Sequence, residues 1–147
     1  MAANDTENTS CYDEMLAEVQ ALYDAERDQE ASEHADKLLG KMERQGLNDS
    51  LLYSEAMRLF GMAQYRMENY PMADGALRFA FETRNALGMG GDAVGIGILQ
   101  TLSEIAILRD QPVEAASLLT LNLPSGYSAY RQKHVIRVCQ DGGHANR

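Results

Sequence analysis

The stretch LFGMAQYRMENYPMADGALRFAF, residues 59–81, decides the fold class. Leu59, Phe60, Met62 and Ala63 set apolar side chains at helical spacing, with Tyr65 beside them. Glu68-Asn69-Tyr70-Pro71 then breaks the pattern. Pro71 suits the first turn of a new helix, where its missing N–H costs little. Small residues follow at Ala73, Gly75 and Ala76, as expected where two helices approach closely. Larger apolar groups, Leu77, Phe79, Ala80 and Phe81, complete the second segment. The order is helix, tight turn, helix.

Outward from this unit the same order recurs at an offset of 42 residues. Ala31, Ala73 and Ala115 fall in register, as do Ala35, Leu77 and Leu119, and Leu39, Phe81 and Leu123. Upstream, Ala21, Ala63 and Ile105 align, as do Tyr23, Tyr65 and Ile107. Met15 meets Met57, and Gly46 meets Gly88. One offset held over three copies is the mark of a repeat architecture. Arg109-Asp110-Gln111-Pro112 repeats the turn chemistry, and Glu26-Arg27-Asp28-Gln29 is its polar counterpart in the first unit. Second helices should end near Gly46 and Gly88, because glycine tolerates the left-handed conformation that closes helices. Asp49-Ser50 and Asp92 then offer side-chain oxygens to the next N-terminus.

The third unit departs from this plan. Pro124-Ser125-Gly126 stops its second helix, and Tyr127 to Gln140 forms one more amphipathic segment, with Tyr130, Val135, Ile136 and Val138 apolar. A terminal helix of that kind covers the end face of a stack. The expected organisation is a single domain over residues 12–140, with repeats at 12–49, 50–91 and 92–124 and a capping helix at 127–140. The polar stretch 1–11 reads as a disordered leader and 141–147 as a disordered tail.

Charge narrows the partners. Residues 1–50 hold 13 Asp and Glu against 4 Lys and Arg, so they carry the entire net charge of −9. Nucleic acid is not expected as a ligand, because phosphate binding depends on basic surface. An acidic face is either solvated or a docking surface for a basic partner. No segment is apolar for long enough to span a bilayer, so no membrane partner is expected. Residues 1–10 lack the basic and apolar regions of a secretory signal. Cys11 and Cys139 are accordingly read as reduced thiols of a cytoplasmic protein.

No catalytic chemistry emerges, and the expectation is of a protein that is not an enzyme. The run Gly88-Met89-Gly90-Gly91-Asp92-Ala93-Val94-Gly95-Ile96-Gly97 has Ala93 where a dinucleotide loop needs glycine, and no lysine for a phosphate loop. It reads as an inter-repeat loop, with Gly95 and Gly97 weakening the start of the fifth helix. His34, His134 and His144 show no metal-ligand spacing. No Ser, Cys and His form a nucleophilic set. Neither metal nor cofactor is expected.

Gly61, Tyr70, Ala73, Leu77 and Ala80 match preferred positions of a tetratricopeptide repeat, and the chain resembles that superfamily over residues 12–124. The 42-residue period is similar to the long variant of kinesin light chains, rapsyn and the Leu-Gly-Asn adaptors. The match departs at Val19 and Ser103, where glycine is expected, and at Met57, where the consensus has Trp. The resemblance implies an all-α, right-handed superhelical stack of three helical hairpins plus the capping helix. It also implies a concave face lined by the first helix of each pair. Family positions map there onto Gln20 and Tyr23, then Arg58, Met62, Tyr65 and Arg66, then Gln100, Glu104 and Ile107. The Met and Tyr members are open to two readings, as core or as part of a groove. The Asn and Lys clamp that grips a C-terminal carboxylate in some relatives is absent. The implied function is an adaptor binding a protein or peptide segment, a homodimer being one form of partnership. The alternatives are a small acidic chaperone dedicated to a secretion-system or complex subunit, and a structural subunit of a larger assembly.

Overall fold

The computed structural model describes residues 2–120, with side chains from Cys11 onward except Leu119. The described residues form six α-helices and no strand. These are α1 (Ala2–Asp24), α2 (Asp28–Arg44), α3 (Leu51–Arg66), α4 (Tyr70–Ala86), α5 (Ala93–Leu108) and α6 (Pro112–Thr120). The fold is all-α, as the periodicity predicts. The expected capping helix 127–140, the tail 141–147 and the end of the third repeat lie outside the described residues. Helix α1 begins at Ala2, so the leader expected at 1–11 is helical from that point. Ala2 and Ala3 are strong helix formers, and no glycine or proline interrupts the polar residues through Ser10.

The 42-residue offset is written into the backbone. Glu26, Glu68 and Asp110 take the left-handed conformation, at φ 61°, 63° and 59°. Each closes a first helix by the same pair of hydrogen bonds. Arg27 N donates to Leu22 O, Asn69 N to Gln64 O and Gln111 N to Ala106 O, at 2.9, 2.9 and 2.7 Å. Glu26 N, Glu68 N and Asp110 N donate to Tyr23 O, Tyr65 O and Ile107 O. This six-to-one and five-to-two pairing satisfies carbonyls that a helix end leaves free. The second helices close the same way around Gly46 (φ 69°) and Gly88 (φ 78°). Ser50 and Asp92 then cap α3 and α5, accepting from Tyr53 N and Gly95 N.

The chain divides into two compact units, residues 1–83 and 84–147, with the break in the last turns of α4. In the first unit α1, α2 and α3 pack on one another. Tyr12, Leu38, Leu39, Met42, Tyr53 and Ala56 form one buried cluster, and Val19, Ala35 and Leu59 another. Fully buried alanines, Ala31, Ala35, Ala63, Ala73 and Ala80, mark the close crossings. At Gly61 a Cβ would lie 2.8 Å from Leu77 Cγ, so α3 meets α4 where no side chain intervenes. Ser54 Oγ donates to Ala80 O at 3.1 Å inside the same contact, satisfying a buried hydroxyl.

In the second unit α5 packs on α6, with Ile98, Leu99, Leu102, Ile105 and Ala106 of α5 and Ala115 and Leu118 of α6 buried. Arg84 is buried there, one period after the buried Met42.

Candidate functional site

The residues nominated by the family resemblance fall into several local groups. Gln20 Nε2 donates to Asp24 Oδ1 at 2.9 Å along α1. Tyr23 and Arg66 are brought together. The Arg66 guanidinium carbon lies 3.5 Å from the Tyr23 ring centroid, a cation–π contact. Arg66 Nη1 also donates to Tyr23 O at 2.8 Å and to Asp28 Oδ1 at 3.1 Å. It therefore caps the end of α1 and ties α3 to the first hairpin turn. Both side chains are engaged within the protein.

Arg58 pairs with Glu55 at 3.1 Å, while its Nε is buried with no hydrogen-bond partner. Met62 and Tyr65 are half-buried, and the Tyr65 ring sits 6.0 Å from that of Tyr70. Gln100 and Glu104 are exposed on α5, in the second unit.

A site the sequence does not announce lies elsewhere in the first unit. A groove of about 550 Å³ opens between α2 and α4. Asp36, Leu39, Gly40 and Glu43 form one wall, and Pro71, Met72, Gly75, Ala76 and Phe79 the other, over a floor of Met57 and Phe60. At about 3.6 residues per turn, Arg58, Met62, Tyr65 and Arg66 lie on the far side of α3 from this floor.

Two features of the groove follow from particular residues. A Cβ added at Gly40 or Gly75 would meet nothing within 4 Å. Glycine inside a helix costs about 1 kcal/mol relative to alanine, and neither position needs it for packing. The expectation that Gly75 serves a close helix approach is thus corrected. Ala73 and Ala76 are buried, Ala76 beside Gly61, and Gly75 is exposed.

Tyr53 of α3 touches both walls. Its ring meets Phe79 of α4 edge-on, with centroids 5.6 Å apart, and its hydroxyl donates to Glu43 Oε1 of α2. Burial first, and then the Glu43 carboxylate holding the proton, pushes the Tyr53 hydroxyl well above the ordinary phenol range. At neutral pH this tether between the walls is intact. Met72 and Phe79 leave substantial surface in water, at 50% and 36% exposure. Apolar area so placed is the usual ground for docking.

The glycine-rich run is an internal brace. Gly90 is buried, and a Cβ on Gly95 would stand 2.2 Å from Gly90 O. Asp92 accepts from Gly95 N at 2.8 Å and from the Arg84 guanidinium. The Gly95 N–H first, and Arg84 also, hold the Asp92 carboxyl below its usual range. Among the described residues no three His, Cys, Asp or Glu are placed to hold a metal ion. No helix among them is long and apolar enough to cross a membrane.

No family model matches the chain, and no solved structure matches it. The chain is similar to tRNA(Ile)-lysidine synthase of Bifidobacterium longum strain DJO10A, at 49% identity over 51 residues. That stretch is 35% of this chain and 13% of the synthase. The synthases of strain NCC 2705 and of subspecies infantis give the same figures. The chain thus covers about one eighth of the length of the curated relatives it matches.

Proposed function

We propose that this chain is a partner-binding adaptor built from tetratricopeptide-like helix hairpins of the long, 42-residue kind. The observation that carries the reading is the open, largely apolar groove of the first unit, lined by α2, α3 and α4. Support for the repeat class comes from the left-handed turns at Glu26, Glu68 and Asp110 and from the bare Gly61 against Leu77. A cytoplasmic setting belongs to the same reading, with Cys11 as an exposed free thiol. The synthase similarity adds nothing to it, being confined to 51 residues. A net charge of −9 also opposes work on tRNA phosphates.

The partner is a protein segment. The α1 and α3 face remains a candidate surface through Arg58, Met62 and Tyr65, whereas Tyr23 and Arg66 already bind each other. Affinity capture with the full chain, followed by measurement of each partner's Kd, tests the function. A saturable partner whose binding survives purification supports the adaptor. A secreted client bound before export makes the chain a chaperone, and a fixed multi-subunit assembly makes it a structural subunit. Recovery of no partner from the native cell refutes all three.

A further inference from the structure

We propose that the groove between α2 and α4 receives a basic amphipathic helix from a partner protein. One large apolar side chain of that helix enters between Gly40 and Gly75, and its Lys or Arg residues lie beside Asp36 and Glu43. The proposal rests on the adaptor reading and names the chemistry of the ligand.

Charge supplies the first argument. Among the described residues the only ionisable groups lining the groove are Asp36 and Glu43, and both are acidic. They belong to the part of the chain that carries the whole net negative charge. An occupant with basic flanks is drawn in, and an acidic one is repelled. The floor and far wall supply the second argument. Met57 and Met72 offer flexible, polarisable thioethers and Phe60 and Phe79 flat aromatic faces, the surface that apolar helix faces use.

Secondary structure of the walls supplies the third. Both are helices, whose backbone groups are bonded internally, so no strand edge is available to an extended peptide. An amphipathic helix needs only side-chain complementarity. The two glycines complete the case. Both line the groove, and a Cβ at either would meet no described atom within 4 Å, so a larger side chain there has room beside the proposed ligand's path. Tyr53 links Glu43 of one wall to Phe79 of the other.

The probe is a fluorescein-labelled helical peptide of about 16 residues, with Leu at every third and fourth position and Lys elsewhere. Its twin carries Glu in place of Lys. Anisotropy titrations use the full chain and three variants of it. Gly75→Leu fills the groove without touching charge. Asp36→Asn with Glu43→Gln removes the rim charge. Asp13→Asn with Glu14→Gln removes the same charge from the exposed face of α1.

The Lys peptide should bind the parent chain and the α1 variant alike. Its Kd should rise about tenfold or more in Gly75→Leu, equivalent to about 1.4 kcal/mol per decade. The rim variant should lose affinity as well, and the Glu peptide should not bind. A fourth variant, Gly40→Leu, repeats the filling test from the other wall.

Equal weakening by the α1 variant and the rim variant, with Gly75→Leu unchanged, would mean diffuse charge attraction and overturn the proposal. So would a concentration-dependent dimer in sedimentation that Gly75→Leu abolishes, since the occupant would then be a second copy. A natural partner that loses Arg58→Ala/Tyr65→Ala but keeps Gly75→Leu would remove the groove while leaving the adaptor reading standing. Failure of the adaptor reading has its own signature, the absence of any natural partner.

Discussion

Two glycines two residues apart in α5 should respond to alanine with opposite signs. At Gly97 a Cβ would meet nothing within 4 Å. Gly97→Ala should therefore gain the helix preference of alanine, about 0.8–1 kcal/mol. At Gly95 the Cβ would stand 2.2 Å from Gly90 O, 2.8 Å from Gly90 C and 3.2 Å from Gly90 Cα. The obstacle is backbone, fastened on one side by Met89 N to Arg84 O at 2.8 Å and on the other by the Asp92 cap. It cannot rotate away as a side chain would. Overpacking of this kind costs about 1–3 kcal/mol. The gain in helix preference is small there, because Gly95 lies in the first turn of α5. Gly95→Ala should lose about 1–3 kcal/mol, so the two variants should differ by roughly 2–4 kcal/mol. Urea denaturation followed by far-ultraviolet circular dichroism, with both variants beside the parent, measures the difference. A Gly95→Ala midpoint at or above that of the parent would refute the reasoning, for it would mean that the Gly90 loop yields freely.

Other outcomes follow from the same physics. Ala73→Leu should destabilise by about 1–3 kcal/mol, since Ala73 is fully buried; an unchanged midpoint would remove it from the helix contact. Arg66→Ala should cost about 1–2 kcal/mol through the loss of the Tyr23 stacking and carbonyl contacts; loss of partner binding at unchanged stability would instead make Arg66 a contact residue. Asp92→Ala should cost about 0.5–2 kcal/mol at pH 7, as the loss of a helix cap does. Because the folded Asp92 carboxyl titrates lower than the unfolded one, its contribution is present above the ordinary carboxyl value of about 3.9 and fades as pH falls through the folded value. The parent should therefore lose more stability than Asp92→Ala between pH 5 and pH 2 (an interval set by that carboxyl range, about 3.9), and parallel losses in the two would contradict the assignment.

Much of the fold was legible because its determinants are local. Helix faces follow from apolar spacing, and the end of each second helix follows from Gly46 and Gly88. The caps at Ser50 and Asp92 follow from side chains that bond their own backbone three residues on. The first-helix turns were harder. Their left-handed residues are Glu26, Glu68 and Asp110, where no glycine marks the conformation. Pro71 and Pro112 flagged two of them indirectly, and the first had only polarity. Among the nominated contacts, the Tyr23–Arg66 pair joins residues 43 positions apart. The repeat resemblance puts both on one face, yet only their geometry shows that they are bound to each other.

Gly61 and Gly75 show why the groove could not be read from the sequence. Both are single glycines in amphipathic helices of the same hairpin, and both invite the reading that two helices must touch there. At Gly61 that reading holds, because Leu77 Cγ would lie 2.8 Å from an added Cβ. At Gly75 the same absence of a side chain leaves space that nothing occupies. Sequence carries the deletion of a side chain but not the reason for it, since the reason is the distance to atoms of another helix. The partner glycine, Gly40, is 35 residues away and outside the 42-residue register, so no alignment of repeats pairs the two. A glycine that lowers helix stability and serves no contact departs from the consistency that packing otherwise imposes. Gly40 and Gly75 both line the acidic and apolar groove, and the proposed ligand would account for the helix stability they forgo. Distances to atoms of another helix thereby separate Gly61, which helix packing requires, from Gly75, which it does not.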